Sequence, residues 1–402
     1  MPDSRHDLLW TTPSRANQDW PEPAAVADAV AERLAFRVIG HVGGSYSLAS
    51  VNRDMALALA AHCPGRVRLQ TVPGATLREW RDVPKAMRGR VLRLGLQRLP
   101  RQAVEVAISQ HYPLHVPRRR AAVNLACFFW EESLVPAATI ALLNTGFDAV
   151  LAPSCFVAEA LRGSGLRVPV RVVGLAPDLA PFQALRPHHP GDGITRFLHV
   201  SSGFPRKGVD VLLAAYGLAF RRADPVHLTI KTFPNPHNDV AAQLARLRAR
   251  DPHYPAVELI DADLPAAAMP ALYARAQVMV LPSRGEGFNL PAAEAMAAGL
   301  AVIVSEVGGH ADFCTQETAR LIACRLTPSG SHVAGAGSLW AEPDVGNLAA
   351  ALREAVQAPA SARGRIARAR AVVAEMTGER WVGRIAAVAA EIWRQRQAPG
   401  LS

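Results

Sequence analysis

Two doubly wound α/β domains facing each other across a cleft are the fold this sequence predicts. Three observations predict it. The chain has 402 residues, half of them hydrophobic, enough for two cores of roughly 180 to 200 residues each. Short apolar runs alternate with helix-period segments in two successive series. A Pro- and Gly-rich stretch without periodicity, GLAPDLAPFQALRPHHPGDG at 174–193, separates the series and reads as a linker.

Residues 1–23 are polar and proline-containing and read as a loosely held arm. The segment 25–36, AVADAVAERLAF, has helical spacing, and RVIGHVG at 37–43 reads as a buried strand ending in a glycine turn. A helix over 47–63 follows, so the first domain opens as strand, glycine turn, helix, the start of a doubly wound unit. Further strands are expected at 66–72, 104–110, 122–130, 148–154 and 168–174. The second series starts at TRFLHVSS, 195–202, and continues with 227–233, 257–261, 278–283 and 301–306. Continuous apolar runs of four to six residues indicate parallel sheets covered on both faces. ERWVGRIAAVAAEIWRQR, 379–396, is an amphipathic helix. The expected organisation is thus an arm (1–23), a first Rossmann-like domain (24–173), the linker (174–193), a second such domain (194–378) and a C-terminal helical segment (379–402) that packs back on the first domain. In such sheets ligands bind at the carboxyl ends of the strands, and here that means the cleft.

Composition narrows the function classes. The net charge is +10, almost all from arginine; the only lysines are Lys85, Lys207 and Lys231. A basic balance points to an anionic partner. Nucleic acid fits poorly, because aromatics make up 6% of residues and no zinc-finger or RNP-type pattern occurs. No apolar run reaches the roughly 18 to 20 residues of a membrane span, and the first residues lack an apolar signal segment. Five scattered cysteines without a C-x-x-C read as reduced thiols of a cytoplasmic protein.

Two stretches carry chemistry. PSRGEGFNLPAAEAMAAG, 282–299, follows a strand. Gly285 and Gly287 flank Glu286 in a tight turn, Asn289 fits a helix N-cap, Pro291 fits the first turn, and Glu294 lies about one turn into the helix. The N–H groups of Gly287, Phe288, Asn289 and Leu290 then face outward as an anion or polyol site. The same spacing also fits a plain strand–loop–helix whose acid is favoured by the helix dipole. SSGFPRKGVD, 201–210, places Arg206 and Lys207 beside Gly203 at another strand end. A planar fork and a point charge side by side suit a diphosphate, and an exposed basic turn would look the same.

Together these stretches resemble the retaining GT-B glycosyltransferases of family 4 (glycosyl transferases group 1). F-P-R-K-G-V-D-x-L-L-x-A, from Phe204, is followed about 80 residues later by the E-x7-E element of Glu286 and Glu294, and then by V-G-G at 307–309. The first half resembles the family more loosely, through H-V-G-G-S-Y-S-L-A (41–49), W-E-E-S-x-x-P (130–136) and F-D-A-V-L-A-P-S (147–154). The resemblance spans about residues 37 to 395 and implies a first domain that binds the acceptor and a second that binds a nucleoside-diphosphate sugar. Glu294 would bind the ribose, Glu286 the donor sugar near the reacting centre, and the N–H groups of Phe288, Asn289 and Leu290 phosphate and sugar oxygens. Arg206 and Lys207 would neutralise the departing diphosphate, so no metal is required. No resident cofactor is implied, only a UDP- or GDP-linked co-substrate. Gly43, Gly44 and Ser45 would form a loop touching donor or acceptor, and Lys231 either contacts phosphate or base or snorkels to solvent.

The chain departs from the family pattern where many relatives carry a first-domain histidine near the donor sugar. The strand here ends in Trp130, Glu131 and Glu132, and the nearest strand-end histidine is His111. Either Glu131 or His111 takes that position; Glu132 reads as structural. On the acceptor side, 84–102 written as a helix has a stripe of Arg90, Arg93, Gln97 and Arg101 opposite a broad apolar side that includes Met87, Val91, Leu92, Leu94, Leu96 and Leu99. It reads as a core-facing helix with a solvated face, and the pattern also fits peripheral contact with an anionic membrane; Arg118, Arg119 and Arg120 add a second basic cluster. The function expected is transfer of a sugar to a glycan or lipid-linked acceptor in bacterial surface polysaccharide or glycoconjugate synthesis, at the inner face of the plasma membrane. The alternatives are a nucleotide-sugar epimerase on the same fold or a non-catalytic nucleotide-sugar- or glycan-binding protein.

Overall fold

The computed structural model describes residues 32–44, 46–72, 74–185, 191–331, 333 and 335–397. The arm at 1–23, most of the helix expected over 25–36, Ser45 and the last five residues lie outside the described residues.

The first sheet has six parallel strands in the order β2-β1-β3-β4-β5-β6: β1 Leu34–Gly40, β2 Val67–Gln70, β3 Val104–Gln110, β4 Val123–Cys127, β5 Ala149–Ala152 and β6 Val170–Val172. Helices α1 (Ser47–His62), α2 (Leu77–Arg81), α3 (Lys85–Leu96), α4 (Ala137–Gly146) and α5 (Cys155–Gly163) connect them. The strand expected over 37–43 begins three residues earlier. Leu34, Ala35 and Phe36 are fully buried strand residues, not the end of a helix. Every residue of β1 is buried, as expected for a strand covered on both faces. Its one charge, Arg37, is paired with Glu105 at 2.6 Å and donates to the Arg119 carbonyl at 2.9 Å.

Residues 173–182 carry the chain across, and the linker contains a short helix: α6 (Ala180–Gln183) buries Phe182 edge-on to Tyr273 at 4.8 Å. The second sheet is also parallel, in the order β12-β11-β10-β7-β8-β9. Its strands are β7 Thr195–Val200, β8 Val226–Thr232, β9 Val257–Asp261, β10 Val278–Leu281, β11 Ala301–Ser305 and β12 Arg320–Ile322. Its helices are α7 (Val209–Ala219), α8 (Val240–Arg250), α9 (Met269–Ala274), α10 (Leu290–Ala298), α11 (Val345–Gln357) and α12 (Arg363–Ala374), and β13 (Cys324–Pro328) pairs antiparallel with β14 (Leu339–Pro343).

The order of the second sheet reverses between β7 and β10, and that of the first between β1 and β3. These are the topological switch points where ligands of such sheets bind. The last helix, α13 (Gly378–Gln397), lies against α1 and β4. Arg396 donates to the Ala122 carbonyl at 2.5 Å, and Arg171 pairs with Glu391 at 2.6 Å. One apolar cluster runs from the first sheet through Leu175, Leu179 and Phe182 into α10 and α13.

Candidate active site

The loop after β7 is a single tight turn, Pro205–Lys207, closed by Gly208 at φ 66°. A Cβ on Gly208 would lie 1.9 Å from the Pro282 carbonyl oxygen. Glycine here serves both the left-handed backbone and the close approach. It lets the loop after β7 press against the loop after β10. The Arg284 N–H donates to the Arg206 carbonyl at 2.7 Å. The buried Arg284 guanidinium forks onto both oxygens of Asp210 (2.8 and 2.7 Å) and both of Glu342 (2.5 and 2.8 Å), fastening the two loops to β14.

This packing brings Arg206 and Lys207 to Glu286. The Lys207 ammonium donates to Oε1 at 2.7 Å and Oε2 at 2.8 Å, and the Ser283 hydroxyl donates to Oε1 at 2.8 Å. The Arg206 guanidinium stands 3.6 Å from Glu286 Oε2, donates to the Gly285 carbonyl at 3.1 Å and reaches Glu131 of the first domain at 3.2 Å. Burial alone would raise the Glu286 carboxyl. Lys207 and Arg206 outweigh that and hold it well below the usual carboxylate range. Burial pushes the Lys207 ammonium down, Arg206 adds to this, and Glu286 opposes it. Beneath the pair, buried His199 bonds the Val280 carbonyl at 2.7 Å and the Ser201 hydroxyl at 2.8 Å. Burial, with a smaller effect of Lys207, lowers its pKa to about 4.

Asn289 is the N-cap residue of α10, as the sequence indicates, but its side chain makes no capping bond. It occupies the N-cap position at φ 76°, a left-handed conformation that Asn tolerates. Its buried amide has no hydrogen-bond partner. The N–H groups of Gly287, Phe288, Asn289 and Leu290 meet no acceptor among the described residues. Pro291 lies in the first turn. The site is therefore a helix N-terminus with free donors beside two cations, an arrangement that can hold a diphosphate or a polyol. Glu294, further along α10, accepts from the Tyr273 hydroxyl. Burial raises its pKa, while the Tyr273 bond and Lys231 oppose the rise. Lys231, at the end of β8, is buried near Glu294 and Asp263 and lies 5.5 Å over the Phe233 ring, so it does not snorkel to solvent.

The first domain meets the site directly. The Ser154 hydroxyl donates to the Gly287 carbonyl at 2.8 Å, and the Cys155 N–H donates to Asp312 at 2.8 Å. A Cβ on Gly285 would fall 2.2 Å from the Glu131 carbonyl oxygen. Of the two candidates at the first-domain position, Glu131 touches the cation cluster. His111 instead bonds the Pro113 carbonyl at 2.8 Å and faces His115 at 5.5 Å. Glu132 is buried with neither carboxylate oxygen partnered. Gly43 and Gly44 form a clamped loop: Glu79 accepts from the Val42 N–H at 3.0 Å and bonds His41 at 2.9 Å, and Arg53 donates to the carbonyls of Val42 and Gly44 at 2.7 and 2.9 Å. Gly203 sits at φ 73° beside Asn238.

Sequence reasoning missed Arg284, Ser283, Tyr273 and His199. Arg284 had a signal, because Asp210 in one motif complements it in the other. Tyr273 and His199 had none.

The family model described as "Glycosyl transferases group 1" matches residues 195–357, most of the second domain. The MMP alpha-(1->4)-mannosyltransferase of Mycolicibacterium hassiacum is 36% identical over 108 residues, which are 27% of this chain and 25% of that protein. The chain thus matches about a quarter of the length of this curated relative. Among solved structures, a glycosyltransferase from Rickettsia africae aligns with TM-score 0.63 and 14% identity, covering 90% of this chain and 98% of its own. Sucrose-phosphate synthase from Thermosynechococcus elongatus aligns with TM-score 0.63 and 18% identity over 91% and 100%. Anabaena HepE, solved with UDP and glucose, gives 0.59 and 13% over 88% and 99%. These likenesses extend the GT-B fold over both domains, and the family match makes residues 195–357 a domain of the glycosyl transferases group 1, or family 4, type.

Proposed function

We propose that the protein transfers a sugar from a nucleoside-diphosphate donor to a hydroxyl of a glycan or lipid-linked acceptor, with retention at the anomeric carbon and without a divalent metal. The observation that carries this reading is the pairing of Arg206 and Lys207 with the free N–H groups of Phe288, Asn289 and Leu290 at a switch point. Breaking the anomeric bond builds negative charge on the leaving diphosphate. Fixed cations and helix N–H groups stabilise that charge without reorganising. Glu286 and Glu131, held beside the cations, stand where positive charge on the sugar would be met. Glu294, oriented by Tyr273, is assigned to the ribose. The mannosyltransferase relative and the neighbour holding UDP and glucose support a hexose on a nucleoside diphosphate. Assembly of bacterial surface glycans on the cytoplasmic side of the membrane is the setting that fits such an acceptor.

The test is a thermal-shift screen against UDP, GDP and their hexoses, followed by assay of nucleoside-diphosphate release with the stabilising donor. A ligand that binds only the native state raises Tm by mass action. Stabilisation by one nucleotide family that disappears in Glu294→Ala is expected. Absence of any shift at millimolar nucleotide overturns the donor site. Binding without release on any acceptor tried would favour a non-catalytic nucleotide-sugar binder.

A further inference from the structure

The second domain holds a cavity of about 520 Å³ on the side away from the cation cluster. Strands β7, β10, β11 and β12 all present their first residues to it: Thr195, Val278, Ala301 and Arg320. The candidate active site is built on the opposite, carboxyl ends of β7 and β10. Facing the strand ends, the cavity is walled by Ala351 and Ala355 of α11, by the turn Pro359–Ala362 and by Ile366 of α12. Close-packed interiors leave few voids larger than a water molecule. A space of this size falls instead in the range of small-molecule pockets, roughly 300 to 1,000 Å³.

Its floor is apolar and its rim is cationic. Val278, Val302, Ile303, Ala319 and Ile366 supply the floor. Three guanidiniums line the rim, those of Arg320, Arg363 and Arg365, against two carboxylates, Glu354 and Asp192. Both acids are already engaged. Glu354 accepts from Arg320 at 3.0 Å and from Arg365 at 3.4 Å, and Asp192 accepts from Arg196 at 3.0 Å. Exposed Arg363 has no carboxylate partner among the described residues. Beyond the lining, the acid Glu317 is matched by Arg370, beside Gly299, and by Arg368, which donates to the Glu317 carbonyl at 2.9 Å. An apolar floor beneath a surplus of guanidinium suits a molecule with an apolar body and an anionic head.

We propose that this cavity is a second small-molecule site, separate from the donor cleft, for an apolar compound with one carboxylate or phosphate head. The occupant would meet the far ends of the two elements that carry the donor motif. Val278 opens β10, which leads to Ser283 and Glu286, and Gly299 follows α10, which carries Glu294. The site does not depend on the sugar-transfer reading, and its test needs neither donor nor acceptor.

The test is calorimetric titration of the full chain with octanoate and octyl phosphate, with octanol and octylammonium as controls of equal chain length. At least one of the anions should bind with Kd below about 1 mM, and the tighter of the two identifies the head group. Octanol and octylammonium should bind at least about threefold more weakly. Ala358→Trp, at an exposed lining position, should abolish binding by filling the cavity. Arg363→Glu should weaken it about threefold or more. Thermal melts matching the parent's show that both variants fold. Glu294→Ala should bind the anions like the parent. Absence of binding by either anion at millimolar concentration overturns the proposal. So does equal or tighter binding of octanol or octylammonium, or parent-like binding by both cavity variants. Loss of binding in Glu294→Ala with retention in Ala358→Trp would put the probe in the donor cleft and equally overturn it.

Discussion

The Lys207 ammonium is bonded to both carboxylate oxygens of Glu286, 79 positions away, at 2.7 and 2.8 Å, and both side chains are largely buried. Removing one partner of such a pair leaves an uncompensated buried charge, which costs about 3 to 5 kcal/mol. Glu286→Gln should therefore destabilise the chain by roughly 3 kcal/mol, because buried Lys207 would lose its paired carboxylate while Arg206 remains beside it. Lys207→Met with Glu286→Gln removes both charges and should recover most of that loss. Urea unfolding of the two single variants and the double variant checks it. Strictly additive losses would show that the pair does not couple.

Gly285 sits where the domains touch. Its absent Cβ leaves room for the Glu131 carbonyl oxygen, which a Cβ would approach to 2.2 Å and which, being backbone, cannot rotate aside. Gly285→Ala should push the first-domain wall off the second and lengthen the Arg206–Glu131 contact. The expected result is a larger radius of gyration in solution scattering and faster proteolysis near residues 174–193, with each domain's secondary structure retained. An unchanged scattering profile would mean the seam relaxes locally.

His199 gives a signed pH dependence. Its folded pKa is about 4 because of burial, against 6.5 for the free side chain. A group whose folded pKa is depressed contributes stability above its unfolded pKa and loses it as pH falls through the folded value. Between about pH 6.5 and 4 the native state should therefore lose roughly 3 kcal/mol through this one imidazole. Asp312 works the other way over part of the range: burial raises its carboxyl to about 6 despite the bond from Cys155, so its contribution favours low pH and is lost as pH rises through about 6. The histidine effect is thus isolated by difference. His199→Gln, although less stable at neutral pH, should show a shallower loss of urea midpoint on acidification than the parent. Parallel curves would place the proton elsewhere.

The sheets and the motif loops were legible because each rests on a local pattern. Runs such as VIVS and VMVL bury both faces, and Gly208 and Gly285 mark turns that the motifs require. What the pattern cannot show is backbone state or long-range partners. Residues 34–36 satisfy a helical period and a buried strand equally well, and only pairing with β2 and β3 decides between them. Asn289 reads as a cap by residue type, yet its left-handed φ turns the side chain away from that role. Leu92 and Leu96 read as core, but Trp80 and Gly95 set the rotation of α3 and leave them outside. The Ser154–Gly287 bond joins residues 133 positions apart, and no periodicity reports it.

Tyr273 and Glu294 carry the last prediction. The Tyr273 ring is fixed edge-on to Phe182, so Tyr273→Phe keeps the packing and removes only the hydroxyl that donates to Glu294. Burial already raises the Glu294 carboxyl, and the Tyr273 bond is the first of the two influences that oppose the rise. Without it the carboxyl should protonate at a higher pH. A protonated carboxyl is a poorer acceptor for ribose hydroxyls than a carboxylate. The variant should thus bind nucleoside diphosphate close to normally at mildly alkaline pH and lose about tenfold in affinity at mildly acidic pH, where the parent still binds. Calorimetric titration across that range checks it. A loss of equal size at every pH would show that the hydroxyl only positions Glu294, and no loss at any pH would remove Glu294 from the ribose.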